Sequence, residues 1–381
     1  MSETKRTFHN VPVTLSVIIP CYNEESTLAE CIEHVMAIAD DDVKLELLIV
    51  DDGSQDESVS IARQLQRKFP PVKLIVHDRN KGKGAALHTG FASATGDFIA
   101  VQDADLEYDP QDLKKLLGPL IEDKADVVIG SRFSSGGTRR VLYFWHSAGN
   151  RLITLLSNFL TDLNLTDIES CYKIFKREVL QSIELKEKRF GFEPEIVAKI
   201  GQKRLRIYEA GISYYGRTYA EGKKITVKDG WRAVYCILKY NLHKAPWPVQ
   251  FIIYLFIGGC ASVLNVLLFM ILYHSGISLP FATGGSFVIA ALFNYVLCIG
   301  ILFRHQARWH RPVEFVVFIL VAGVIGVVDY IATSFLIEYG ISPIFSKIIA
   351  NGIGLLCNFS GRRWLVFPEP GNPQWQPQNR I

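Results

Sequence analysis

Asp103-Ala104-Asp105-Leu106-Glu107 follows a hydrophobic run, 97–101, and offers three carboxylates within five residues. The run reads as a buried strand, so the acids fall where a strand ends and a loop begins, a usual place for ligands on an open α/β sheet. Acids at i and i+2, with a third oxygen at Glu107, suit a hard divalent cation and an attached diphosphate, because Mg²⁺ and Mn²⁺ prefer oxygen ligands. An acidic turn facing only solvent is the competing reading of these five residues alone. Asp51-Asp52-Gly53-Ser54 follows the run 45–50. Either Asp51 or Asp52 could accept hydrogen bonds from a nucleobase N–H or a ribose hydroxyl, with Gly53 letting the turn pass close to that ligand; an Asp-capped turn is the alternative. Lys81-Gly82-Lys83-Gly84 puts two ammonium groups and bare backbone N–H groups at a helix start, which suits an anion. The alternative there is a solvated cationic loop.

The elements that must position these clusters follow from periodicity. Strands are expected at 15–19 (closed by Pro20), 45–50, 72–77, 98–101 and 126–130, alternating with helices from about 26, over 57–69, from 82 and over 110–122. That alternation is the βαβ signature of a mostly parallel sheet covered on both faces, an α/β fold. Each polar cluster then lies on the C-terminal rim of the sheet, where such sheets bind nucleotides. No G-x-G-x-x-G follows the first strand and no G-x-x-x-x-G-K-[ST] occurs, which leaves dinucleotide-binding and P-loop readings without support.

Across the 381 residues and 42.9 kDa, a mean hydropathy of +0.17 hides a split. Residues 1–245 mix charged and apolar positions as a soluble domain does, whereas most of 249–367 is nearly uncharged. A formal charge of +3 is too mild to argue for nucleic acid, and no zinc-finger, RRM-like or helix-turn-helix pattern appears. Seven scattered cysteines with no C-x-x-C read as reduced thiols. The N-terminus lacks an apolar signal-peptide core, so the soluble part is expected in the cytosol.

Four apolar segments, about 249–273, 281–303, 313–337 and 344–366, each reach the roughly 20 residues a helix needs to span hydrocarbon. Lys239 and Lys244 precede the first, Arg304, Arg308 and Arg311 join the second to the third, and Arg362 and Arg363 end the fourth, whereas the two short turns carry no Lys or Arg. The positive-inside rule therefore puts both termini in the cytosol. An offset of 64 residues relates the two hairpins: Pro248-Val249-Gln250-Phe251 matches Pro312-Val313-Glu314-Phe315, Gly276-Ile277-Ser278 matches Gly340-Ile341-Ser342, and Asn294 matches Asn358. Asn265 and Asp329 fall at the same offset; Asp329, deep in a span, is expected to face protein or a polar cavity. Ahead of the spans, Tyr143–Arg151 with its apolar continuation, and 228–243 with Trp231 and Tyr235 among cations, read as amphipathic helices on a lipid surface.

Taken in order, Pro20-Cys21-Tyr22-Asn23-Glu24-Glu25, Asp51-Asp52-Gly53-Ser54, Asn80-Lys81-Gly82-Lys83-Gly84 and Asp103-Ala104-Asp105 resemble the inverting family 2 glycosyltransferases, which have a GT-A fold. Gly130-Ser131-Arg132-Phe133, the stretches 167–173 and 189–195, and 216–224 narrow the resemblance to the polyprenyl-phosphate hexose synthases, the group of dolichyl-phosphate mannose and glucose synthases; it runs over 14–240. The four spans resemble GtrA-like membrane domains. The resemblance implies transfer of one hexose from a nucleotide sugar donor to a polyprenyl or dolichyl phosphate acceptor, assisted by Mg²⁺ or Mn²⁺. It implies that Pro20, Tyr22, Glu24 and Asp52 hold base and ribose. Asp103 would contact donor and metal, Asp105 and Glu107 would bind metal, Arg132 the acceptor phosphate or sugar, and Arg217 with Lys224 the donor diphosphate. Lys83 belongs with the donor-binding residues, and Asp103, Asp105, Arg132 and Arg217 make the catalytic set.

Asp167 and Glu193 are read as positioning sugar hydroxyls or basic side chains, with no catalytic base assigned. UDP-glucose is favoured over GDP-mannose. The expected plan is a cytosolic transferase domain over 1–225, a juxtamembrane helix over 226–246, a four-helix membrane domain over 247–367 and a polar tail over 368–381, all in an integral protein of the cytoplasmic membrane. The partners are the donor, the acceptor and the lipid bilayer, without nucleic acid; a homo-oligomer stays open. A processive polysaccharide synthase is the competing enzyme, but its Q-x-x-R-W segment is missing from the soluble half. A non-catalytic scaffold would be expected to lose Asp103 or Asp105, and both remain.

Overall fold

The computed structural model describes residues 12–134, 140–141, 143–216, 227–303 and a discontinuous subset of 313–361. The chain forms two compact units, one built on the residues up to Asn241 and one on Leu242–Pro373.

The first unit centres on a seven-stranded sheet in the order β3-β2-β1-β4-β6-β5-β7. Its strands are β1 (Val13–Cys21), β2 (Val43–Asp51), β3 (Val72–Val76), β4 (Phe98–Val101), β5 (Val127–Ser131), β6 (Lys173–Lys176) and β7 (Ile207–Gly211). The intervening helices are α1 (Leu28–Met36), α2 (Ser58–Lys68), α3 (Lys83–Ser93), α4 (Gln111–Ile121), α5 (Phe144–Thr161), α6 (Arg177–Gln181) and α7 (Phe192–Gln202), and α8 (Val227–Asn241) follows β7. All pairings are parallel except those of β6, which runs antiparallel to both β4 and β5. In β1 and β2, Val17, Ile18, Ile19, Leu47, Ile49 and Val50 are fully buried, as a strand covered on both faces requires. Each such side chain contributes about 1.5–3 kcal/mol by leaving water. A buried acid lies in the middle of β2. Glu46 of β2 accepts hydrogen bonds from Ser16, Lys73 and Thr95 and so ties β1, β3 and the turn before β4 to one carboxylate.

The structure differs in places from the pattern expected from sequence. β1 does not stop at Pro20 but runs to Cys21, pairing Pro20 with Val50. The reason is geometric: Ile18 offers its carbonyl to Gln102 on the β4 side and Cys21 offers its carbonyl to Asp52 on the β2 side. By strand alternation the missing N–H of Pro20 therefore faces beyond the end of β4, where no ladder bond is lost. The short β6, inserted between β4 and β5, and β7, paired with β5 at the sheet edge, both lie outside the expected strands.

In the second unit, α9 (Trp247–His274) is followed by α10 (Leu279–Leu297), which continues into a wider π turn over Cys298–Phe303. Among the described residues, one helical stretch, Trp247–Leu272, is long and apolar enough to cross a bilayer; Val288–Leu302 is a shorter apolar stretch. The third and fourth expected spans, with Asp329, Asn358 and the arginines at 304–311 and 362–363, lie largely or wholly outside the described residues. The 64-residue repeat nevertheless has a structural counterpart. Gly276 and Gly340 both adopt left-handed backbone, φ 83° and 84°. Ile277 donates to Leu272 at 3.2 Å as Ile341 does to Leu336 at 3.1 Å. Both are the bond that closes a glycine-capped helix end. Phe359 packs against Trp247, Phe251 and Tyr254, with ring centroids 5.3–5.8 Å apart.

Candidate active site

β1 is the switch point of the sheet: β2 and β3 lie on one side of it and β4 on the other. In open α/β sheets the crevice at the carboxyl ends of such strands receives ligands. The loops after β1, β2, β3 and β4 meet there.

The loop after β1 is stapled to the loop after β2. Asn23, at φ 53°, donates its N–H to Ser54 Oγ (3.0 Å) and accepts from Gln55 N–H (2.9 Å), and Glu24 N–H donates to Ser58 Oγ (2.9 Å). This sets Pro20, Tyr22 and Glu24 beside Asp51 and Asp52. The two aspartates differ in an unexpected way. Asp52 accepts from the backbone N–H of Lys81 (2.9 Å) and Gly82 (2.6 Å) and pairs with His77 Nδ1 at 2.7 Å. Expected on base and ribose, Asp52 is turned inward to hold the 77–82 loop. Asp51 Oδ2 accepts from Gly53 and Ser54, while its Oδ1 is buried with no protein partner. Of the two acids left open by the sequence, Asp51 keeps the spare acceptor. Gly53, at φ 73°, has the Arg79 backbone 2.6 Å from where a Cβ would stand, so only glycine allows the two loops to close together.

Lys83, the first residue of α3, places Nζ 2.8 Å from Asp103 and 3.2 Å from Glu193. Burial works against its charge, but Asp103 and then Glu193 overcome it and hold the ammonium well above its ordinary pKa. Asp105 accepts the N–H of Glu107 (3.2 Å), and Glu107 accepts the Tyr214 hydroxyl (2.8 Å). Among the described residues no three acidic, histidine or cysteine side chains gather as a metal-holding group. The donor chemistry still fits Mg²⁺ or Mn²⁺ in another form, since Mg²⁺ is usually held by one or two carboxylates together with substrate phosphates rather than by an all-protein cage. Asp103 and Asp105 suit that role, and Glu107, which accepts the Tyr214 hydroxyl through Oε2, follows two residues on.

Arg132, which follows β5, is 7% exposed and forms a two-pronged pair with Asp167: Nε to Oδ2 at 2.7 Å and Nη2 to Oδ1 at 2.8 Å. Asn150 of α5 also accepts from Nη2, at 3.2 Å. Asp167 and Glu193 thus both sit on basic side chains. Arg132, Arg140 and Arg151 line one cleft with Phe133, Ser147 and Tyr214. Tyr214 joins this cleft to the acidic loop, for its hydroxyl binds Glu107 while its ring lies 5.2 Å from the Arg132 guanidinium. Sequence reading singled out neither Tyr214 nor Arg140, because no short-range pattern marks a residue whose partners come from other loops. Arg217 and Lys224 lie outside the described residues. α5, which supplies Ser147 and Arg151 to the cleft, exposes Phe144, Trp145, Leu152 and Leu155, and α8 exposes Trp231 and Tyr235.

Residues 16–184 match the glycosyl transferase family 2 model, and residues 253–367 match the GtrA/DPMS transmembrane domain. The low-salt glycan biosynthesis hexosyltransferase Agl6 of Haloferax volcanii is 31% identical over 281 residues, covering 72% of this chain and 63% of that protein. The dolichol-phosphate mannosyltransferase of Pyrococcus furiosus is 30% identical over 233 residues, 60% of this chain and 64% of the relative. The chain thus spans less than two thirds of the length of either. Among solved structures, glucosyl-3-phosphoglycerate synthase from Mycobacterium tuberculosis, in complex with Mn²⁺, uridine diphosphate and glucosyl-3-phosphoglycerate, aligns at a TM-score of 0.48 and 21% identity, over 63% of this chain and 86% of that one. The first unit, with its mixed, helix-flanked sheet, thus contains the stretch similar to family 2 glycosyl transferases, and the stretch similar to the GtrA/DPMS transmembrane domain lies after it in the chain.

Proposed function

We propose that this protein transfers a single hexose from a nucleotide sugar to the phosphate of a membrane polyprenyl phosphate, with inversion at the anomeric carbon. One observation carries the reading: through Tyr214, the acidic loop of a nucleotide-type crevice adjoins a cleft lined by three arginines. A crevice for a diphosphate beside a cleft for a second anion is what a phosphate acceptor demands. The exposed aromatic and apolar side chains of α5 and α8, and the apolar length of α9, support an acceptor that resides in lipid.

In this reading Asp51 reads the base, the 20–24 loop walls the nucleoside, and Lys83 and Asp103 face the diphosphate. Arg132, oriented by Asp167 and Asn150, and the nearby Arg140 and Arg151 neutralise the acceptor phosphate and orient it for attack. A phosphomonoester has its second pKa near 6 and is largely dianionic at neutral pH, so it attacks without a strong general base. This agrees with Asp167 and Glu193 being engaged by cations. A divalent ion held by Asp103 and Asp105 would supply charge neutralisation on the departing nucleoside diphosphate. Both termini and the transferase domain are assigned to the cytosolic side, with four spans in the cytoplasmic membrane. UDP-glucose is the favoured donor and GDP-mannose the competitor.

The test uses the full chain in nanodiscs with a short isoprenyl phosphate, following nucleoside diphosphate release from UDP-glucose and GDP-mannose with and without chelator. Release that depends on both acceptor and metal is expected. Release that continues at full rate in chelator removes the metal role, release without acceptor removes the polyprenyl phosphate, and a clear preference for GDP-mannose reverses the choice of sugar.

A further inference from the structure

Glu187, between α6 and α7, is 3% exposed although it lies in a stretch, Glu184-Leu-Lys-Glu-Lys-Arg189, that reads as solvated charge. Its carboxylate has three partners, all from α8: Arg232, Lys239 at 2.7 Å and the Tyr240 hydroxyl at 2.8 Å. Burial opposes its charge, but hydrogen bonds from Lys239, Arg232 and Tyr240 prevail and hold the carboxyl low, at about 2. From behind, Glu195 of α7 accepts the N–H of Lys186 (2.8 Å) and Glu187 (2.7 Å) and fixes the segment.

The backbone of the same segment forms the wall on which α3 begins. Lys188 accepts the N–H of Ala85 at 3.0 Å, and a Cβ at Gly82 or Gly84 would collide with the carbonyls of Lys188 and Glu187. The residue between those glycines is Lys83, whose Nζ meets Asp103 and Glu193. A continuous path therefore leads from α8, whose outer side exposes Trp231 (73%) and Tyr235 (53%), through the Glu187 side chain and the 187–188 carbonyls to the ammonium at the crevice.

We propose that Glu187 is a positioning residue that ties α8 to the start of α3, so that the seating of α8 sets how firmly the crevice holds a nucleoside diphosphate. The nucleotide half of this statement rests on the function proposed above; the mechanical half does not.

The full chain in nanodiscs separates the two. Glu187→Gln keeps the shape and removes the charge that Arg232 and Lys239 neutralise. Amide exchange at Ala85 and Ala86 is expected to accelerate while exchange in β1 and β2 stays at the parental rate. Affinity for uridine or guanosine diphosphate with Mn²⁺ is expected to fall roughly five- to tenfold, the lower end of the usual range for coupled sites, with donor KM rising and kcat nearly unchanged. Arg232→Gln combined with Lys239→Gln, on the partly exposed side of the link, should reproduce both effects and decides the matter if Glu187→Gln fails to fold. Parental exchange at Ala85 and Ala86 in a folded variant, or loosening spread over the whole sheet, overturns the positioning role. A parental protein that binds neither nucleotide sinks the reading of the crevice, while the exchange result still judges the link.

Discussion

β1 and α9 are both apolar, yet they leave water by different means. In β1, Val17, Ile18 and Ile19 are fully buried by the flanking strands and helices. In α9, Phe256, Val263 and Ile271 remain 72%, 61% and 61% exposed to anything outside the protein. Charge shows the same contrast. The sheet unit buries Glu46, Arg132 and Asp167 and half-buries Lys83, each paired, whereas Trp247–Leu272 contains no Asp, Glu, Lys or Arg. A protein interior tolerates charge when it supplies partners; a hydrocarbon-facing helix supplies none. The first unit is organised by internal complementarity and the second by composition matched to its solvent.

The contrast breaks most severely where a buried pair loses one member. Arg132→Ala leaves Asp167 charged and enclosed, so a loss of about 3–5 kcal/mol in stability is expected from chemical denaturation in detergent. Removing both charges, as Arg132→Met with Asp167→Leu, should cost markedly less, and equal costs for the two variants would show that the pair is not the source. Asp105→Asn removes a charge without removing volume. Turnover should fall by roughly 10²–10³-fold, the scale of one lost electrostatic contact at a reacting centre, with the melting temperature unchanged; turnover within a few-fold of the parent would discard Asp105 from the site.

Apolar truncation sharpens the comparison. Ile18→Ala opens a cavity in a filled interior and is expected to cost about 2–5 kcal/mol. Val263→Ala opens none and should stay within about 0.5 kcal/mol. Similar losses at both positions would mean that protein, not lipid, covers that face of α9. The smallest effect is one of pH. Burial raises the Glu46 carboxyl, but bonds from Lys73, Ser16 and Thr95 outweigh it and lower the pKa to about 2 from its ordinary 4.5. A depressed carboxyl stabilises the fold fully above its unfolded pKa, and that contribution drains away as pH falls from 4.5 toward 2. The difference in melting temperature between the parent and Glu46→Gln should therefore shrink across that window, and a constant difference would remove Glu46 as its cause.

Strands β1 to β5 and helices α1 to α4 were legible because each carries its own signal: continuous apolar runs for strands covered on both faces, 3.6-residue periodicity for helices, and Gly, Pro or Asp clusters between them. The position of the acidic motifs at strand ends was legible for the same reason. The strands β6 and β7 were not, since Lys173–Lys176 and Ile207–Gly211 are short and acquire strand geometry by pairing with β4 and β5, distant in sequence. Local pattern also marked a carboxylate pair at Asp51 and Asp52, but not which oxygen stays available.

What the order of residues determined by itself is the βαβ alternation, the rim that collects its polar loops, and the 64-residue duplication whose capping glycines recur at positions 276 and 340. All of these depend on spacing along the chain. Tertiary structure alone decided that Asp52 turns inward while Asp51 keeps a spare acceptor, that Glu107 meets Tyr214, and that Glu187, in a charged stretch, becomes the buried link to α8. The reason is physical. A charged or polar group takes its role from the partners that replace its water, and here those partners lie tens of residues away.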